Sequence, residues 1–226
     1  MKLERNSGIL LHPSSLPDSP VCGSFGEPAR AWLNALAISG IGVWQFLPLA
    51  PTDSFGSPYS SPSSFAFNPW FLDQNDLVRD GFLPNTLKNS SSDNDSFDNR
   101  VDFQLANSKV QSLRLSLVDY WEKQNKTIQE EFEIWSSRQF WLDDHSIFME
   151  LKIQNNNRPW WEWPYKYAVR DKKELENWKK NNQKELLGHN LLQWHLDRQW
   201  KSIRKLAKSL GVFLFGDVPF YVSKDS

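Results

Sequence analysis

The run Val43-Trp44-Gln45-Phe46-Leu47-Pro48-Leu49-Ala50-Pro51-Thr52-Asp53 constrains the fold of this chain more than any other stretch. Its apolar side chains from Val43 to Leu49 suit a buried strand, whereas Pro48 and Pro51 lack the N–H that a ladder or a helix needs. A buried strand must therefore open into a loop here. The residues that follow, Gly56-Ser57-Pro58-Tyr59-Ser60 and Ser64-Phe65-Ala66-Phe67-Asn68-Pro69, keep that loop long and polar.

Upstream, Ser7 to Leu11 is a short apolar run suited to a central strand, and His12-Pro13-Ser14-Ser15-Leu16-Pro17 closes it as a loop. Glu27-Pro28 opens a helix with proline in its first turn; Trp32, Leu33, Leu36 and Ala37 form one face, and Gly40 ends it. Ile41 to Leu49 is then a second strand. Strand, helix and strand in that order predict a parallel pair with a right-handed crossover. A (β/α) barrel presents substrate loops at the carboxyl ends of such strands, where the loops vary without disturbing the packed core.

The next comparable strand, Val212 to Phe215, comes only after a long insertion. Asn85 to Asn99, with Asn89-Ser90-Ser91-Ser92-Asp93-Asn94-Asp95-Ser96 inside it, reads as a solvated loop. Helical patterns follow. Val110, Leu113, Leu117 and Trp121 recur at helical spacing, as do Ile128, Phe132 and Trp135, and Ile147, Phe148 and Leu151. Arg158-Pro159-Trp160-Trp161-Glu162-Trp163-Pro164 breaks the series. Leu191 to Leu210 reads as a long helix stopping at Gly211 and leading into Val212 to Phe215. The expected fold class is α/β: the amino-terminal part of a (β/α)8 TIM barrel, about three strands, with a mainly helical insertion subdomain between the second and third. The expected division is residues 1–69 for the first barrel strands and substrate loops, 70–190 for the insertion, and 191–226 for the return helix and third strand.

Composition narrows the function classes. With 26 basic and 27 acidic residues the net charge is −1, which offers nothing extra to a phosphate backbone or an anionic membrane. Cys22 is the only cysteine, so an intramolecular disulfide and a thiolate metal cluster are excluded, and a reducing, cytoplasmic setting is expected. No apolar run approaches the ~20 residues of a membrane span, and the first residues lead directly into the first strand, which argues against secretion. The 12 Trp, 15 Phe and 5 Tyr leave two readings open. They pack a core, or some of them stack on the flat C–H faces of sugar rings.

Ser7 to Pro17, Trp44 to Pro51, Ser57-Pro58-Tyr59-Ser60, Ser64 to Pro69 and Gly216-Asp217-Val218-Pro219-Phe220-Tyr221-Val222 together resemble the amino-terminal part of the 4-α-glucanotransferases, the amylomaltase or disproportionating-enzyme family. Trp141-Leu142-Asp143-Asp144, Arg158-Pro159-Trp160 and Trp163-Pro164 add to the resemblance. It implies a (β/α)8 barrel and the transfer of α-1,4-glucan segments between maltooligosaccharides, or to glucose, in two steps that retain the anomeric configuration. No cofactor is implied. Such chemistry needs two carboxyl groups about 5 to 5.5 Å apart. In the family pattern these lie on later barrel strands, so the nucleophile and acid/base are expected beyond Ser226, and the 226-residue chain alone is expected to be inactive. Length agrees, since a complete barrel takes about 250 residues before insertions. Transfer and hydrolysis are not separable from these residues, so an α-amylase-type glucan hydrolase remains an alternative. So does a non-catalytic glucan-binding or truncated product.

The resemblance assigns Asp217 to glucose binding at the reacting subsite, Tyr59 to the glucan site, and Ser57 to a supporting hydrogen bond. By position alone, Asp217 is a residue at a strand's carboxyl end that contacts substrate or caps its own loop. Tyr59 offers a stacking face and a hydroxyl, or packs the loop down. His12, at the end of the first strand, is a further candidate. His145, His189 and His195 show no spacing for a metal tripod, and no metal is expected. Asp143 and Asp144 are adjacent on a helical pattern, about 100° apart, and do not converge on one bond.

Overall fold

A computed structural model of the protein describes residues 5–17, 21–53, 55–87, 100–219 and 223–226. The Asn/Ser-rich stretch from position 88 to 99, Phe220-Tyr221-Val222 of the last motif, and the first four residues lie outside the described residues. Strand β1 (Gly8–Leu10) precedes helix α1 (Glu27–Ile38), and β2 (Val43–Gln45) follows it. Proline enters α1 in the first turn and Gly40, at φ 69°, takes the left-handed conformation that ends it. Both strands are shorter than their apolar runs. The ladder ends within a few residues of Gln45, as Phe46 turns its ring into the core against Trp200 and Pro48 has no N–H to offer.

The insertion holds α2 (Gln74–Arg79), α3 (Phe103–Trp121), α4 (Lys126–Ser137), α5 (Leu142–Gln154), α6 (Tyr165–Ala168), α7 (Lys172–Asn181) and the first half of α8 (Gln183–Ser209). Strand β3 (Phe213–Phe215) ends the described secondary structure. Helix α8 starts at Gln183, well before the Leu191 that periodicity suggested, and runs unbroken through position 190. Its opening residues Gln183-Lys184-Glu185 are polar and Gly188 interrupts the apolar rows, which hides its first turns. A Cβ on Gly188 would stand 2.7 Å from Cγ of Arg114, so α3 approaches α8 closely there.

The sheet is parallel throughout, in the order β1-β2-β3. Ile9, Trp44 and Leu214 align across one face and point into the helices, and Trp44 is fully buried, its indole N–H donating to Leu11 O at 2.7 Å. Gly8, Val43 and Phe213 align across the other face, as do Leu10, Gln45 and Phe215. On that side Leu10 is 53% and Phe215 59% exposed. A parallel sheet normally has both faces covered; here one is open.

One core joins sheet and helices. Leu33 and Leu36 of α1, Phe25, Phe71, Leu113, Leu117 and the Leu191, Leu196 and Ile203 row of α8 belong to it. A smaller cluster of Ile147, Leu151, Trp163, Leu175, Trp178 and Leu186 holds α5, α7 and the start of α8 together. Within the tryptophan motif at 158–164, Trp163 packs, whereas Trp161 is 43% exposed.

Candidate functional site

All three strands point the same way, so the segments after Leu10, Gln45 and Phe215 emerge on one edge of the sheet. The backbone carries this alignment past the strand ends: Leu11 N–H donates to Gln45 O at 2.9 Å and Phe46 N–H to Phe215 O at 3.1 Å. His12, the loop holding Ser57 and Tyr59, and Asp217 therefore start from adjacent positions.

Tyr59 and Asp217 meet. The Tyr59 hydroxyl donates to Oδ2 of Asp217 at 2.6 Å, across 158 residues of sequence. Oδ1 of Asp217 accepts the Val218 N–H at 2.8 Å, and both side chains remain open to solvent. The short bond to the carboxylate, with a smaller contribution from its charge, raises the phenol above the ordinary tyrosine range. The phenol thus stays protonated, a fixed donor at neutral pH.

Asp53 builds the loop that brings Tyr59 there. Its Oδ1 accepts the N–H groups of Phe55 and Ser57, both at 2.9 Å, while its own N–H donates to Ser57 O at 3.2 Å. Gly56 closes the turn at φ 83°, and a Cβ there would stand 2.4 Å from the Phe103 ring. Only glycine satisfies both conditions. Ser57 Oγ accepts the Tyr59 N–H at 3.4 Å, which places this serine in the loop's own scaffold.

His12 turns toward the core. It packs edge-on against Phe71 at 5.4 Å, its Nδ1 is buried without a hydrogen bond, and burial lowers its pKa to about 4. Asp143 and Asp144 are exposed and engage Lys179 and Arg170 respectively. Among the described residues, no group of three or more His, Cys, Asp or Glu is placed to hold a metal ion. No helix among them is long and apolar enough to cross a membrane.

Sequence reasoning missed three residues that shape this edge. Asp53 is one, and its signal was present: an aspartate two and four residues before the N–H groups it caps, with glycine between, is an Asx-turn pattern. The others are Gln193 and Gln199 of α8. The Gln193 amide accepts from Phe67 N and donates to Phe67 O, both at 2.9 Å, and Gln199 does the same for Asp73, again at 2.9 Å. They fasten the far end of the loop after β2 to α8. Nothing local marks them, because a glutamine within an apolar helical row looks like an interruption.

A family model described as 4-alpha-glucanotransferase matches residues 11–226. The 4-alpha-glucanotransferase of Synechocystis sp. is 36% identical over 226 residues, covering 99% of this chain and 44% of its own length. That of Thermus thermophilus is 35% identical over 228 residues, covering 100% of this chain and 44% of its own. Among solved structures, the amylomaltase from Streptococcus agalactiae in complex with acarbose superposes with a TM-score of 0.89 at 29% identity, over 99% of this chain and 45% of that one. The amylomaltase from Corynebacterium glutamicum, at 16% identity and a TM-score of 0.68 over 96% of this chain and 30% of that one, shares the fold. The chain spans less than half the length of the curated relatives it matches. With that span stated, the match settles its kinship: the chain belongs to the 4-alpha-glucanotransferase family.

Proposed function

We propose that this chain supplies the opening strands and part of the glucan site of a 4-α-glucanotransferase, which transfers α-1,4-glucan segments between maltooligosaccharides or to glucose. The observation that carries the reading is the 2.6 Å bond between Tyr59 and Asp217 at the carboxyl edge of the sheet. Asp217 keeps lone pairs beyond those used by Tyr59 and Val218, so it accepts hydrogen bonds from sugar hydroxyls. Tyr59 adds a ring face for stacking. Ser57 holds the Tyr59 backbone, and His12, a neutral imidazole beside the same edge, is a secondary contact.

In this reading Asp217 orients the sugar and strengthens its hold as charge develops on the ring. The nucleophile and the acid/base, about 5 to 5.5 Å apart for a retaining double displacement, lie beyond Ser226, and no cofactor takes part. The open sheet face supports a barrel: Leu10, Phe213 and Phe215 are apolar and uncovered, as inward-facing residues of the first three strands of a (β/α)8 barrel are before the rest closes over them. The helices between β2 and β3 then form a subdomain packed on the barrel's outside. A buried Cys22 thiol, pushed up to about 12 by burial, suits a reducing cytoplasm, and a net charge of −1 gives nucleic acid and membranes little to hold.

The test is to incubate the purified 226-residue chain with maltotriose and resolve products by length, and to titrate it with maltotriose by calorimetry. No glucose and no longer oligosaccharides are expected, together with a Kd that rises about tenfold in Asp217→Asn, the loss of one charge-assisted bond. Formation of glucose and longer chains would overturn the placement of the carboxylates. An unchanged Kd in Asp217→Asn would remove Asp217 from the site.

A further inference from the structure

The loop that carries Tyr59 continues through Ser61–Phe65 into a cleft of about 360 Å3, lying between that loop and the start of α5. That volume falls within the range of small-ligand sites, about 300–1,000 Å3. Three rings line it. Phe65 meets Phe140 edge-on with centroids 5.1 Å apart, and lies within 14° of parallel to Trp141 at 6.4 Å. Phe140 is 80% exposed and Phe65 57%, so neither ring is spent on the core.

The rim is charged. Asp144 and Arg170 pair across it with both side chains largely in solvent. The loop side is stiff: Ser61 donates its hydroxyl to Ser63 O at 2.7 Å, and Ser63 Oγ accepts the N–H groups of Phe65 at 3.2 Å and Ala66 at 3.1 Å. Phe65 is thereby presented in a fixed position, beside an exposed Phe140 and a half-buried Trp141.

Such a surface suits a ligand that is apolar on its faces and polar around its edge. A lipid chain or an apolar peptide would strip water from the Asp144–Arg170 pair and offer its remaining polar sites nothing in return, which is costly. A nucleotide would stack, but its phosphate would have to take Arg170 from Asp144 and leave that carboxylate facing a second anion. A sugar ring satisfies both halves: its C–H face lies on the rings, and its hydroxyls donate to the carboxylate and accept from the guanidinium. We propose that the cleft formed by Phe65, Phe140 and Trp141, with Asp144 and Arg170 at its rim, is a further glucan-binding site beside the Tyr59–Asp217 pair. The proposal rests on the glucan reading given under Proposed function. A glucan longer than a few units engages both places through the shared loop, and the second hold raises retention of long chains relative to short ones.

The experiment is calorimetric titration of the 226-residue chain with maltoheptaose, in the wild type and in a Tyr59→Phe/Asp217→Asn double variant, each with and without Phe140→Ala. Phe140 is exposed, so its truncation spares the fold, and equal thermal midpoints check this. Saturable binding is expected to persist in the double variant, to weaken at least tenfold when Phe140→Ala is added, and to return with Phe140→Trp. Affinity within twofold after Phe140→Ala, or no saturable binding in the double variant, would overturn the cleft as a glucan site. The two readings separate cleanly: Asp217→Asn alone weakening maltotriose while Phe140→Ala changes nothing would leave the Tyr59–Asp217 reading standing and end this one. The reverse pattern would do the opposite.

Discussion

At the scale of single residues, the role of each carboxylate follows from what points at it. Asp53 receives two backbone N–H groups and is spent on its loop. Asp73 caps α2 through the Asp76 N–H at 2.9 Å and accepts the Ser24 hydroxyl at 2.6 Å. Asp217 receives a phenol and its neighbour's N–H, yet stays open to solvent, which is why it alone of these has capacity left for a ligand. Asp76 is the buried extreme. At 5% exposure it takes both Nη atoms of Arg30, at 2.6 and 2.9 Å, and Nη1 of Arg79 at 2.7 Å. Truncating Arg30 leaves that charge half-paired, so Arg30→Ala is expected to cost about 2 to 3 kcal/mol in urea denaturation, below the full price of an orphaned buried ion because Arg79 remains. Arg30→Lys should recover little of it, since an ammonium cannot form the two-point fork. A loss under 0.5 kcal/mol would mean that Asp76 is far better hydrated than its burial implies.

At the scale of elements, local pattern decided what was legible. The strand, helix and strand of the first fifty residues announced themselves through apolar runs, a first-turn proline and a stop glycine, and α3, α4 and α5 through their rows of Leu, Ile, Phe and Trp. Helices α2, α6 and α7 did not. They are short, and α7 buries only Leu175 and Trp178, too few positions to establish a period. Equally hidden was how α8 uses two polar residues: Gln193 and Gln199 bind the main chain at the far end of the loop after β2, a long-range match that no window of sequence contains. Replacing Gln193 by Leu removes two hydrogen bonds and strands a part-buried N–H and C=O of Phe67. A loss of about 2 to 4 kcal/mol is expected, read from the denaturation midpoint. Retention of full stability would show that water substitutes for the amide.

At the scale of the whole molecule, the distribution of titrating groups makes stability depend on pH in a definite direction. His145, His189 and His195 are all buried, and burial is the chief cause that holds each below the ordinary histidine range, His145 down to about 3. These histidines stay neutral in the folded chain while the unfolded chain takes up protons below its pKa of about 6.5. Each therefore withdraws stability as acid is added, in the window below about 6.5, and nothing above it. His12, lowered by burial to about 4, acts in the same direction, so all four histidines draw on a stability that for a typical domain is only about 5 to 15 kcal/mol. The urea midpoint should be flat above pH 7 and fall steeply between pH 6 and 5; a midpoint at pH 5 equal to that at pH 7 would refute it. Neither this acid weakness nor the meeting of Tyr59 with Asp217 is written in composition or spacing. The residues of the pair stood out through family resemblance, but their contact comes from three parallel strands delivering distant loops to one edge.

The two glutamine clamps have a consequence for how such a chain can vary. Phe67 with Gln193 and Asp73 with Gln199 are each separated by 126 residues, so the loop segment and the helix advance in step. Their spacing works as a ruler. A single residue inserted between Phe67 and Asp73 would keep one glutamine matched and leave the other facing the wrong peptide, and the same holds for a deletion within α8 between the two. The two six-residue intervals are therefore fixed in length, and a matched insertion in both would not restore the register, since one residue added within α8 also turns Gln199 by about 100°.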